Sequence, residues 1–225
     1  MKERGIIFNT EMVRAILDGS KTQTRRIMKP QPKPNENGGT WWPSNICQSM
    51  INIEDMMQDN EGVWAGIAGI ACPHGGVGDR LWVRETWQGP LIDYADNEPQ
   101  FKGNHIFEKS DNCVYKADGL AAPEFIDSDD NLKQGWRPSI HMPRWASRIT
   151  LEITDVRVER LQDISKQDAI FEGAPRGHHS INVISKRFGF PDFSRSWFAQ
   201  IWMDIYGEDN WAANPWVWVI EFKRV

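Results

Sequence analysis

Cysteine is scarce. Cys47, Cys72 and Cys113 are spread over 225 residues. An odd number without paired spacing excludes a disulfide framework and fits reduced thiols. Long hydrophobic runs are missing as well. The longest, Val63 to Cys72, is about half the ~20 residues of a membrane-spanning helix, and the N-terminus has no apolar leader core. A cytoplasmic protein without a membrane partner is expected. Positive charge is not in surplus: 26 Lys and Arg against 31 Asp and Glu leave a formal charge of −5. Nucleic-acid binding would therefore need a local patch, because the whole surface does not supply the field. There is no internal repeat and no interdomain linker, so residues 1–225 read as one domain. Cys47, Cys72 and His74 are three scattered candidates where structural zinc uses four ligands in paired spacings. No metal and no cofactor are expected.

Tryptophan, in contrast, is abundant, with twelve residues. Its size and single donor suit cores and ligand pockets, including base stacking. The densest chemistry lies in Asp18 to Pro30. The apolar periodic segment Met12–Leu17, capped by Asn9 or Thr10, predicts a helix that stops near Gly19. The pattern then turns extended, with Thr22 and Thr24 on one face and Lys21, Gln23 and Arg25 on the other. Lys21, Arg25, Arg26, Lys29 and Lys33 occur without an acidic residue across 21–33, which is the local basic patch. A solvated basic turn is one reading. The other is chemical: a hydroxyl three residues from an amine forms a nucleophile and base pair, and neighbouring arginines hold a phosphate or an oxyanion.

Downstream, prolines 30, 32 and 34 and the glycines after them predict irregular structure over 30–45. Trp41 and Trp42 there serve either as a loop anchor or as a pocket wall. Arg80–Trp87 reads as a strand with Leu81, Val83 and Glu85 on one face. Glu85 at the end of that buried face either pairs with an arginine or faces a pocket. His141, Arg144 and Trp145 stand before the longest strand pattern, 149–161, which is expected to bend. Ser165 caps a short helix over 166–172. His178 and His179 read as rim residues. Residues 194–206 carry aromatics at helical spacing, and 216–222 read as a central strand.

Gly19-Ser-Lys-Thr-Gln-Thr-Arg-Arg26 resembles the G-x-K-T-x-T-x-R signature of ASCH domains, members of the PUA-like superfamily. Gly78–Trp87 and Trp136–Trp145 are similar to segments of the larger ASCH proteins common in phages and prophages. Val219–Lys223 resembles the closing strand of the small ASCH enzymes that deacetylate N4-acetylcytidine, and Leu161–Gly173 is similar to their L-x-x-L/I-[ST]-x-x-x-A-x-x-E stretch. The resemblance implies a mainly β fold with peripheral helices (α+β), a PUA-like pseudo-β-barrel with loop insertions at about 31–77 and 89–135. It implies a catalytic set of Lys21, Thr24 and Glu172, with no metal: Thr24 attacks an amide carbonyl, Lys21 takes the hydroxyl proton, and Glu172 delivers a proton to the leaving amine. Arg25, Arg26, Lys29, Glu85, Arg144 and Trp145 are the expected substrate or nucleic-acid contacts. The partner is RNA or a modified nucleoside. Two further readings stay open: a non-catalytic RNA or modified-base binding module, phage-encoded, and a ribonuclease.

Overall fold

The computed structural model describes residues 1–36, 38–44, 47–57, 66–91, 107–126, 131–175 and 192–225. The chain begins with β1 (Glu3–Ile7), α1 (Thr10–Leu17) and β2 (Gln23–Ile27). Asn9 caps α1 by accepting from the Met12 amide, as its short acceptor side chain allows. A three-stranded antiparallel sheet of β3 (Lys33–Pro34), β4 (Thr40–Ser44) and β5 (Ser49–Asn52) follows, then the short helices α2 (Ile53–Met57) and α3 (Ile67–Ala71). Next come β6 (Arg80–Arg84), the paired β7 (Trp87–Gln88) and β8 (Val114–Tyr115), and the hairpin β9 (Glu124–Ile126) and β10 (Leu132–Gln134). The C-terminal part holds β11 (Thr150–Arg160), α4 (Lys166–Phe171), α5 (Phe193–Tyr206), α6 (Glu208–Ala212) and β12 (Trp216–Arg224).

One five-stranded mixed sheet, ordered β1–β6–β11–β12–β2, positions everything else. Its β12 is buried on both faces. Trp216, Trp218, Ile220 and Phe222 point into the main core, and Val217 and Val219 into a second core with Phe198 and Trp202 of α5. That explains why β12 reads as a nearly continuous apolar run. The bend expected in 149–161 is a β-bulge between Ile153 and Asp155. One extra residue inverts the alternation. Leu151 and Ile153 before it, and Val156 and Val158 after it, therefore fill the same core.

The expected barrel is not formed by backbone pairing: among the described residues β1 and β2 remain the two edges of the sheet. In a flat sheet those edges would stand ~19 Å apart, four strand spacings. Yet Arg26 on β2 donates to the Ile7 carbonyl on β1 at 2.7 Å, so the sheet curls until a single side chain spans the gap. Helix and strand occur in similar amounts, which makes the fold mixed α/β; the mainly β expectation misses α2, α3 and α6. No helix among the described residues is long and apolar enough to cross a membrane.

The segment 31–77 also departs from expectation. Its composition suggests a decoration, irregular over 30–45, but it forms β3–β5 and supplies Trp42, Ile51, Ile53, Met56, Ala68 and Ala71 to the main core. Trp42 packs edge-on against Trp218 at 5.3 Å and donates its indole N–H to the Pro30 carbonyl. This is the anchor reading of that tryptophan. The proline-rich composition hides it because local breakers are offset by tertiary burial. The histidines at 178 and 179 lie outside the described residues. Trp42→Ala should cost ~3–5 kcal/mol, the usual loss for a buried large aromatic, in urea unfolding. A loss below about 1 kcal/mol would return the segment to a surface decoration.

Candidate functional site

The signature loop and the end of α4 are built against each other. Ser165 caps α4 by accepting from the Asp168 amide, and the helix ends at Glu172. Its last carbonyls are then claimed by the signature segment: the Thr22 amide donates to the Phe171 carbonyl and Lys21 Nζ to the Glu172 carbonyl, both at 2.9 Å. A cation at a helix C-terminus is favourable against the macrodipole. Gly173, at φ +102°, permits this approach, since a Cβ there would meet Ala15 Cβ at 3.3 Å and Lys21 Cβ at 3.5 Å.

Lys21 Nζ also donates to Glu172 Oε2 at 2.7 Å, and Arg25 Nη1 to Glu172 Oε1 at 3.2 Å. The side chains of Lys21 and Arg25 are fully withdrawn from water, and that of Glu172 is 4% exposed. Thus Lys21 and Glu172, from distant parts of the sequence, form one buried pair. Lys21 uses two of its three N–H donors on Glu172. Among the described residues the hydrogen-bond partner of the Lys21 amine is Glu172, and no hydrogen bond joins Lys21 to Thr24. Burial, the largest influence, holds the Lys21 amine below its usual range; Glu172 opposes that shift, and Arg26 and Arg25 add to it.

Thr24 is buried on β2 and lines a cavity of about 20 Å³ together with Arg25, Arg26 and Glu172. The other wall is the aromatic face of α5, with Trp197, Phe198, Trp202 and Tyr206. The space holds about one water molecule. Larger cavities lie elsewhere: one of about 520 Å³ is bounded by Arg14, Ser20 and Phe171, and one of about 550 Å³ by Arg4, Gly69 and Asp79.

The basic patch expected over 21–33 is largely internal. Arg25 is ion-paired to Glu159 at 2.7 Å as well as to Glu172, and lies 3.8 Å from Asp168. Arg26 is half-buried; its guanidinium lies 5.1 Å from the Phe8 ring centroid, the same ring that Lys21 Nζ approaches at 5.8 Å. Lys29 and Lys33 alone of the five stand exposed. Arg25 therefore acts inside the protein and not as a surface contact for phosphate.

Three other expected contacts are occupied away from the pair. Glu85 is buried and gripped at both oxygens by Arg148, at 3.0 and 3.1 Å, with Asp118 completing the cluster. Burial pushes the Glu85 carboxyl above its usual range, against the pull of Arg148. Arg144 is exposed and donates to Glu3, and Trp145 packs edge-on against Trp87 at 5.6 Å. None of the three touches Lys21, Thr24 or Glu172.

Sequence reasoning misses the roles of Gln23, Arg157, Glu159 and Asp168. Gln23 is buried, its amide nitrogen donating to Asp168 at 3.2 Å and its oxygen accepting from Arg25 at 2.6 Å. Arg157 joins Glu159 at 2.6 Å, Asp168 at 3.0 Å and Glu221. The charges on the face of β11 opposite Val156 and Val158 are the available signal, but nothing local names Arg25 as their partner. Among the described residues no group of three His, Cys, Asp or Glu is arranged to hold a metal ion. No family model, curated protein or solved structure matches the chain.

Removing Glu172 strands a buried ammonium. Glu172→Ala should lose ~3–5 kcal/mol of stability. The double variant Lys21→Met/Glu172→Leu should lose clearly less, because it leaves no lone charge. Equal losses in the two would contradict the pairing. A second test uses His74, whose imidazole burial, then Arg26 and Arg4, push down to about 4. The folded state then binds fewer protons than the unfolded chain between about pH 6.5 and 4. Stability is full above that window and falls as pH drops through it, by about 3 kcal/mol at most. His74→Gln should flatten this acid limb in unfolding measured at about pH 7 and pH 4; an unchanged limb would place the cause elsewhere.

Proposed function

We propose that the chain is an ASCH-type, PUA-like protein that hydrolyses the amide of an N4-acylated cytidine, free or within RNA. The carrying observation is the buried 2.7 Å contact of Lys21 Nζ with Glu172 Oε2 beside a cavity lined by Thr24. The curling of the sheet until Arg26 reaches Ile7 supports the pseudo-barrel form of that family, and the scarce, unpaired cysteines support a cytoplasmic setting.

In this reading Lys21, whose amine burial holds below its usual range, hands its proton to Glu172 along their hydrogen bond as the reaction begins. Thr24 Oγ1 attacks the acyl carbon and its proton goes to Lys21. Arg26, which lines the same cavity, stabilises the oxyanion. Collapse breaks the C–N bond, and the proton held by Glu172 leaves with the cytidine amine. Water then hydrolyses the acyl-threonine, releasing the carboxylic acid and restoring Thr24. A cavity that holds about one water molecule has to widen before it takes the reacting amide.

A second reading is favoured by one feature: both oxygens of Glu172 are already held by Lys21 and Arg25. In that reading the cluster fastens α4 to β2, and the protein binds a modified base without turnover. Incubation with N4-acetylcytidine, with mass spectrometry of the products, separates the two. The hydrolase reading expects cytidine and acetate from the wild type. It also expects at least a hundredfold loss, roughly, in Thr24→Ala and in Lys21→Ala, without additivity in the double variant. Comparable turnover in Thr24→Ala would exclude the threonine mechanism. Binding without product would select the reader.

A further inference from the structure

The solvent face of the main sheet carries an aromatic and cationic patch that the Lys21–Glu172 site does not use. Leu81 and Val83 on β6 are buried, so Arg80, Trp82 and Arg84 stand half-exposed on the opposite face. The register sets Gly5 of β1 on one side of Trp82 and Thr150 of β11 on the other. Gly5 makes the seat for the indole. A Cβ there would lie 2.8 Å from Trp82 Cζ2 and 3.0 Å from Arg84 Cδ, so only a bare Cα lets both side chains lie against β1. The Arg84 guanidinium sits 5.5 Å from the Trp82 ring centroid and donates to the Ile140 carbonyl.

Charge on this face is uneven. Glu3 is taken by Arg144 and Glu152 by Lys223. Arg80 and Arg84 remain as a surplus of two positive charges on the face, although Arg80 also lies near Glu152; the Nε of each is buried without an acceptor among the described residues. A flat ring beside planar guanidiniums matches the face of an unpaired base and the adjoining phosphate. A duplex keeps its base faces stacked internally and offers only grooves and backbone.

We propose that this face binds single-stranded nucleic acid, with bases stacking on Trp82 and Arg84 and the adjoining phosphate held by Arg80. The platform is separate from the Thr24 cavity and does not rest on catalysis there. The test is fluorescence anisotropy of the full chain with a fluorescein-labelled twelve-nucleotide single-stranded RNA across a salt series. Wild type should bind, and affinity should fall with salt. Arg80→Gln should weaken binding and flatten the slope by about 0.7, the share of the one phosphate that Arg80 neutralises. Gly5→Ala changes no charge but displaces Trp82; it should weaken binding by about fivefold or more, with the slope unchanged. Circular dichroism of each variant checks that it is folded; Arg80→Gln carries the test if Gly5→Ala is not. The proposal is overturned if wild type does not bind, if a duplex of the same sequence binds equally well, or if folded Arg80→Gln binds like wild type.

Discussion

An ammonium and a carboxylate, both out of water and 2.7 Å apart, set the terms for the rest of this structure. Neither charge is tolerable there alone, because the desolvation of each far exceeds what a single neutral hydrogen bond returns. Lys21 therefore needs Glu172, and Glu172 needs α4 to end where it does, with Gly173 turning the chain away. Arg25 takes the second carboxylate oxygen and itself needs Glu159 and Asp168. Arg157 and Gln23 complete the set. The network joins β2, β11, α4 and, through Glu221, β12, so it holds in place the loop most suited to chemistry.

The bulge in β11 makes this possible. Without the extra residue, Val156 and Val158 would point away from the main core, and Arg157 and Glu159 into it. With it, apolar side chains stay on one face and the charged ones arrive beside Arg25 on the other. The same strand order leaves β2 at an edge, where α5 covers it. Two consequences follow for function. The Thr24 cavity is walled by aromatics and small, and the aromatic and cationic patch lies elsewhere, on β6 and before β11.

Much of the organisation is legible in local sequence. The caps at Asn9 and Ser165, the strand at 216–222, the bend in 149–161 and the helix over 194–206 follow from periodicity and turn chemistry, and each has its counterpart in the structure; the strand read over 80–87 holds only to Arg84, and Trp87 belongs to β7 in another sheet. The ASCH resemblance singles out Lys21 and Glu172, and the structure brings them into contact. What is not legible depends on tertiary partners. A run of five basic residues looks like a surface patch until acids from 134 and 147 positions away neutralise Arg25. Prolines 30, 32 and 34 argue for a loop, yet Trp42 is drawn into the core because Trp218 waits there. Glu85 looks like a candidate contact because Arg148, its partner, lies 63 residues on. Sheet closure is beyond local reading, because alternation specifies strands but not whether the last edge meets the first.

The central claim is that Lys21 is a buried, Glu172-bound amine whose proton is held less tightly than that of an ordinary lysine. Its most direct test is an NMR titration of the lysine side-chain ammonium in the intact protein, with the Lys21 signal assigned by its loss in Lys21→Met. The account predicts a midpoint below the usual lysine value of ~10.4, with slow solvent exchange of the Nζ protons. A midpoint at or above that value, with the rapid exchange of a solvated ammonium, would contradict it.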